Sequence, residues 1–246
     1  MMHAIWTAAT GMQAQQMRID AIANNLANVN TTGYRAEEAN FRALPVYGNA
    51  LPSSVYTTGQ GSSADLREGP IVHTGRNLDV AIEGPGWIAV QGSDGKPAYT
   101  RNGNLVINAA GILTTSDGHP VLGSGDTPIS VPQLESVQIG ADGTISGVPA
   151  GSQPNALVTI NRLTLVNPPP QDMQRVADGL FRSTQGTPAP DGNLKVASGA
   201  LESSNVNPVA AMIRMLEDSR MFEVQTKLMQ TVSQNEQTAS QLLNVS

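Results

Sequence analysis

Cysteine is absent from all 246 residues. That excludes a disulfide framework, a thiolate metal site and a cysteine nucleophile together. Charge is scarce: Asp, Glu, Lys and Arg make up 14% of the chain, against about 25% in ordinary soluble domains. What charge there is leans acidic, with 20 acidic against 14 basic residues and a net charge of −6. Neutralising phosphates requires clustered Lys and Arg, which this chain lacks, so nucleic acid is not an expected partner. Aromatic residues are 4% of the chain, a thin supply for a large core. No run approaches the roughly 18 apolar residues of a membrane span. The opening Met1-Met2-His3-Ala4-Ile5-Trp6-Thr7 has neither the basic nor the continuous apolar region of a cleaved secretory signal. No direct membrane insertion is expected.

The usual chemical constellations are missing as well. His3, His73 and His119 lie far apart and fit no ligand spacing. There is no Gly-x-Ser-x-Gly elbow, and Gly123-Ser124-Gly125 runs into Asp126-Thr127-Pro128 instead of a helix, so it reads as a turn. Asp79 and Glu83 are four apart on a β stretch, where that spacing does not bring carboxylates together. The reading carries no catalytic residue, no cofactor-binding residue, no metal ligand and no cofactor.

What is present is organised at the two ends. Ile5, Met12, Ile19 and Leu26 recur every seven residues, with Ala8, Ile22 and Val29 three after members of that row. They make one narrow apolar seam along a helix over residues near 3 to 28, about four heptads long, and such a seam wants a partner helix. The helical period stops after Asn28, and Gly33 supplies a turn. At the far end a second helix is expected from Pro208 to Leu243. Asn207 is placed to cap it, and Pro208 at its first position loses nothing by lacking an N–H. Val209, Met212, Ile213 and Leu216 form a first stripe, and Met221, Val224, Leu228, Val232, Ala239 and Leu242 a second, shifted around the helix. A helix of this kind offers more than one packing face, and its methionines adapt to unlike neighbours.

Between the ends, 24 glycines and 16 prolines point to many turns and short strands. Residues 41 to 74 read as extended chain around Pro45, Val46, Gly48, Pro52 and Gly59. Leu78, Val80 and Ile82 then alternate as a strand does, and Asp94-Gly95, Asn102-Gly103, Asp117-Gly118 and Asp142-Gly143 punctuate strands at Trp87 to Val90, Leu105 to Ile107 and Val137 to Ile139. After a proline-bearing interruption from Gly147 to Pro154, Leu157 to Val166 reads as one further strand. Asp178-Gly179 opens another. The expected fold class is α+β: N- and C-terminal helices forming a coiled-coil-like zone, and a central, mostly antiparallel β domain.

Several stretches carry a resemblance. Ala23-Asn24-Asn25-Leu26-Ala27-Asn28, then Thr31 or Thr32 and Gly33-Tyr34-Arg35, resembles the N-terminal signature of bacterial flagellar axial proteins, the rod and hook family. Leu78 to Ile82 with Gly84, Gly86 and Trp87, and Tyr99-Thr100-Arg101-Asn102-Gly103, follow in that family's order. Glu202-Ser203-Ser204-Asn205-Val206-Asn207-Pro208, Met212-Ile213 and Arg220-Met221-Phe222-Glu223 match its C-terminal pattern. The motif positions are thus Asn24, Asn25, Leu26, Ala27, Asn28, Gly33, Tyr34, Asn205, Val206 and Glu223. His3-Ala4-Ile5-Trp6 and Phe222-Glu223-Val224-Gln225 look most like the proximal-rod members.

The resemblance implies a structural subunit of the basal-body rod, polymerising through its terminal helices into a torque-carrying shaft around an export channel. Its partners would be neighbouring rod proteins, copies of itself and the flagellar export apparatus, which takes its cargo without a cleaved signal. The expected assembly interface is Ile5, Met12, Ile19 and Leu26 on one helix and Met212, Leu216, Phe222 and Leu228 on the other. The expected organisation is an assembly helix and signature turn over 1–40, an extended connection over 41–76, the β domain over 77–200 and the second assembly helix over 201–246. Three alternatives stay open: a distal-rod protein, a self-contained β binding module on a helical stalk, and an enzyme using paired carboxylates.

Overall fold

The computed structural model describes residues 2–45, 55–149, 151 and 157–243, and the side chains of 9–42, 62–149, 151, 157–235 and 238. Val46, Gly48, Pro52 and Pro154 of the sequence reading lie outside the described residues, as do the side chains of Ile5, Ala239 and Leu242. The chain divides into two compact units. One is Met1–Ala27, Glu37–Asp65 and Asn207–Ser246; the other is Asn28–Ala36 and Leu66–Val206.

The first unit is built on two helices, α1 (Met2–Ala27) and α2 (Pro208–Leu243). α1 is rich in Ala, Met and Gln and α2 in Met, Gln and Leu, which lose little side-chain freedom in a helix, and proline occurs only at the first position of α2. Asn207 caps α2, its Oδ1 accepting from the Ala210 N–H at 3.0 Å and its carbonyl from Ala211 at 3.0 Å. The helices run antiparallel, with Gly11 beside Gln225 and Gln15 beside Asp218. Against α1 also lies a two-stranded antiparallel ribbon, β1 (Glu37–Pro45) and β2 (Val55–Ala64), with a bulge opposite Asn40 and Phe41. Arg18 stacks its guanidinium over the Phe41 ring, 4.9 Å from the centroid.

The second unit is β apart from one 3-10 turn at Pro170–Asp172. Its strands are β3 (Ile71–His73), β4 (Val80–Glu83), β5 (Trp87–Gln91), β6 (Pro97–Thr100), β7 (Leu105–Ile107), β8 (Leu113–Thr115), β9 (Leu122–Gly123) and β10 (Thr127–Pro128). They continue as β11 (Leu134–Ile139), β12 (Thr144–Pro149), β13 (Val158–Arg162), β14 (Leu165–Val166), β15 (Met173–Arg175), β16 (Phe181–Ser183), β17 (Lys195–Ser198) and β18 (Ala200–Glu202). Every pairing among the described residues is antiparallel. The widest sheet runs β14-β5-β6-β16-β15; β11, β12 and β13 form a second; and β17 pairs β4 while β18 pairs β3. Val80, Ile88, Val90, Leu105, Leu113, Val121 and Ile145 close one continuous apolar core.

Gly95, Gly118 and Gly143 take positive φ in their turns, as the Asp-Gly pairs predict. Asn102-Gly103 differs. Gly103 has no left-handed backbone; it is needed because a Cβ there would stand 1.7 Å from the Val80 carbonyl oxygen, so the glycine marks a close backbone crossing and not a hairpin. The expected strand from Leu157 to Val166 breaks in two. Leu163 donates to the Gly143 carbonyl at 2.9 Å and Thr164 to that of Leu122 at 3.0 Å, carrying the chain from one sheet to the other. The fold is α+β, a mostly antiparallel β body with an N-terminal and a C-terminal helix.

Candidate functional site

The signature turn begins where α1 ends. Thr31 donates to the Asn28 carbonyl at 3.1 Å and Tyr34 to that of Thr31 at 3.2 Å, while Gly33 sits at φ 68. A side chain on Gly33 would put its Cβ 2.3 Å from the carbonyl carbon of Arg101. Two constraints, a left-handed backbone and a touching neighbour, thus demand glycine there.

That contact belongs to a junction centred on Glu202. Its carbonyl accepts from the Gly33 N–H at 2.8 Å. Its Oε1 accepts from Arg35 Nη1 at 2.6 Å and from the Gly69 N–H at 2.8 Å, and its Oε2 from Arg101 Nη1 at 3.0 Å. Arg101 Nη2 reaches on to the Gly84 carbonyl at 2.8 Å. Arg35, Arg101 and Glu202 are all buried. Burial pushes the Arg101 guanidinium down from its ordinary value; the Glu202 carboxylate opposes this and the nearby Arg35 adds to it. Residues from four separated motifs, Gly33 to Arg35, Gly84, Arg101 and Glu202, meet at one carboxylate.

The aromatic residues of those motifs frame the junction. Arg175 lies over the Tyr34 ring at 4.7 Å and over Phe181 at 5.3 Å, and donates to the Arg35 carbonyl. Trp87 packs on Phe181 with centroids 4.5 Å apart, and Arg101 lies 5.7 Å over Trp87. Asn205 finishes the knot: Oδ1 accepts from the Ala36 N–H at 2.7 Å, Nδ2 donates to the Arg67 carbonyl at 2.9 Å, and its N–H to Tyr34 at 3.3 Å. An arrangement of this kind positions backbone and moves no proton. Among the described residues there is no group of three or more His, Asp or Glu that could hold a metal ion, and no helix is long and apolar enough to cross a membrane.

In the helical unit two signature residues, Asn24 and Asn25, also hold the chain. Asn25 exchanges two bonds with the Glu37 backbone, at 2.9 and 2.7 Å, mimicking a strand partner, and Asn24 Nδ2 donates to Glu37 Oε2 at 2.8 Å. Leu26, Asn28 and Val206 are half-buried, while Ala27 and Glu223 are exposed. Of the expected interface residues, Met12, Ile19, Leu26 and Phe222 are half-buried; Met212, Leu216 and Leu228 are 54–59% exposed.

The edge of α2 turned toward α1 is Ala211, Met215, Asp218, Phe222, Gln225 and Met229, a regular alternation of four and three residues, all buried or half-buried. Gln15 Nε2 bonds Asp218 Oδ1 at 2.6 Å and its carbonyl at 3.1 Å within that contact. The spacing was available as a signal, but Asp218 and Gln225 interrupt its apolar character.

Comparison with known proteins accords with this geometry. The family described as "Flagella basal body rod protein" matches residues 5–35, "Flagellar hook protein FlgE/F/G D1 domain" residues 81–147, and "Flagellar basal body rod FlgEFG protein C-terminal" residues 197–242. The flagellar basal-body rod protein FlgF of Salmonella typhimurium is 42% identical over 99% of both chains, and that of Escherichia coli 43% over 99% of both. The rod protein FlgG of Borreliella burgdorferi is 34% identical over 94% of this chain and 95% of its own. All three matched segments contribute residues to the Glu202 junction, and the chain belongs to the FlgF family of flagellar basal-body rod proteins, as a structural subunit of the rod and not an enzyme.

Proposed function

We propose that this rod subunit polymerises through its terminal helices, occupies the proximal rod, and contributes to the drive shaft that transmits torque and encloses the export channel. The observation that carries the reading is the outer face of α2. Val209, Ile213, Leu216 and Val224 are each more than half exposed on the side opposite the edge that meets α1, and Met212, Met221 and Leu228, also more than half exposed, lie on its flanks. Water-facing apolar residues in such number mark an interaction surface. The proximal position is supported by the 42–43% identity to two FlgF chains over 99% of their length. Head-to-tail contacts that do not close give an open helical polymer, and interleaved helices resist twist.

The four assembly domains read from the sequence, with the interface Ile5, Met12, Ile19, Leu26, Met212, Leu216, Phe222 and Leu228, belong to this proposal. So does export without a cleaved signal by the flagellar export apparatus. Helices held by few buried residues are marginal alone, so the termini order fully only when neighbours cover them. Replacing the exposed Leu228 with Asp leaves the fold intact and stops incorporation into purified basal bodies, and Ile19→Asp does the same while sparing the β body. Normal swimming and normal copy number in the Leu228→Asp strain would overturn the reading.

A further inference from the structure

Between α1 and the β1–β2 ribbon lies a hollow of about 450 Å³. Met17, Ala21 and Phe41 give it an apolar floor, and Asp20 and Glu37 stand at its walls. Met17 is 40% exposed, although its thioether is apolar. Two walls thus carry carboxylates around an uncovered greasy surface. The cation Arg18 is engaged over the Phe41 ring, and Asn24 binds Glu37 without neutralising it.

The outer face of α2 has the converse pattern. Val209, Ile213, Leu216, Arg220, Val224 and Lys227 follow at steps of four or three residues, so they form one straight line along the helix. All six are exposed, and both charged members are cations. Glu217 and Glu223 are also exposed, but the helical period places them to either side of that line.

We infer that the α1–ribbon hollow of one copy receives the outer line of α2 of a second copy, with Arg220 and Lys227 meeting Asp20 and Glu37. A second copy fits because both halves of the match lie on the same unit of the same chain, while a chain's own α2 presents its inner edge, Ala211, Asp218 and Phe222, to α1. Groove to ridge is a heterologous contact, so each addition leaves a fresh groove or ridge exposed and growth continues. The inference rests on the proposed polymerisation and names the two faces that meet in it.

Charge exchange tests it, because Asp20 and Arg220 are exposed, and the bond Asp20 accepts from Gln16 Nε2 at 2.9 Å lies within α1. The readout is the number of copies in basal bodies purified from strains carrying Asp20→Arg, Arg220→Glu, or both in one chain. Each single change lowers incorporation several-fold, and the double change restores it, since the reversed groove then meets a reversed ridge. A double change worse than either single one would mean that the two faces meet other proteins, overturning the second-copy pairing while leaving polymerisation through the helices intact. Singles without effect, alongside loss of incorporation in Leu228→Asp, would overturn the pairing and again spare the broader reading. The absence of native cysteine permits a second measurement. Met17→Cys and Leu216→Cys, on differently tagged copies in one cell, give a mixed-tag dimer with a short bis-maleimide; incorporation of both without that product overturns the inference.

Discussion

Val80, Ile88, Leu105 and Leu113 in the β body are wholly enclosed, whereas Val209, Ile213, Leu216 and Val224 on α2 each keep more than half their surface exposed. The two units use the same apolar residue types to opposite ends. Among the described residues of the helical unit only Ala21, Ala211 and Gln15 are buried, none of them large and apolar. The β body gathers a continuous core and closes around it. One unit encloses its apolar surface within a single chain, and the other leaves it open. Burial at about 25 cal/mol per Å² therefore stabilises the first on folding, and under the proposed polymerisation it stabilises the second only once neighbours cover α2.

The largest expected effect would erase that contrast from the β side. Glu202→Gln removes the counter-charge of two buried guanidiniums, and breaking such a group costs about 3–5 kcal/mol. Hydrogen exchange over residues 78–180 should then approach the rate of α1 and α2; unchanged protection would show that Arg35 and Arg101 find other acceptors. Next is Gly103→Ala. Its Cβ would meet the Val80 carbonyl at 1.7 Å, and forcing the strands apart should cost about 1–3 kcal/mol, read as a lower urea midpoint.

Asn207→Ala sharpens the comparison from the other side. Loss of the cap should cost about 1 kcal/mol, speeding exchange of the Ala210 and Ala211 amides with no change across the β core. The smallest effect is at Arg182, whose Nη2 meets Asp94 at 2.6 Å near the β5–β6 turn. That bond holds the Asp94 carboxyl below its ordinary value of 3.8. A carboxylate lowered on folding stabilises fully above 3.8 and loses the contribution as pH falls through its folded value. Arg182→Ala should therefore unfold slightly earlier than the parent at neutral pH, and the two should coincide in strong acid.

Local chemistry was the part of the fold most legible in the residues. Asn207-Pro208 fixes the start of α2, and Asp94-Gly95, Asp117-Gly118 and Asp142-Gly143 fix their turns, because cap and turn act over a few residues. Asn102-Gly103 does separate β6 from β7, but the reason for its glycine is not legible locally, because the atom it avoids belongs to Val80 and nothing in the Asn-Gly pair reports a crossing strand. Ala81 is buried as well as Val80 and Ile82, so alternation across that strand hides a segment covered on both faces. The ribbon of β1 and β2 lacks an alternating pattern, and its Gly, Ser and Thr residues read only as extended chain.

The site was legible as motifs and illegible as chemistry. Arg35, Arg101 and Glu202 stand in recognisable stretches, yet Arg35 and Glu202 are separated by 167 positions and no spacing rule joins them. On α2 the pattern Met212, Leu216, Phe222 and Leu228 merges two faces. Phe222 turns with Met215 toward α1, and the others look outward, a division set by the Gln15–Asp218 contact that polar residues conceal.

That same contact sets an order of events. Gln15 meets Asp218 across 203 positions, so the helical pair cannot exist until nearly the whole intervening chain has been made. The β5–β6 hairpin has no such wait, since its strands adjoin in sequence and close through a tight turn, whereas β17 and β18 complete the β body only once residues 195–202 have been made. A copy interrupted between residues 203 and 217 would carry every strand of the β body but lack the Gln15–Asp218 contact between its helices. The separation of its two halves along the chain thus makes the helical pair the last part of the subunit to form.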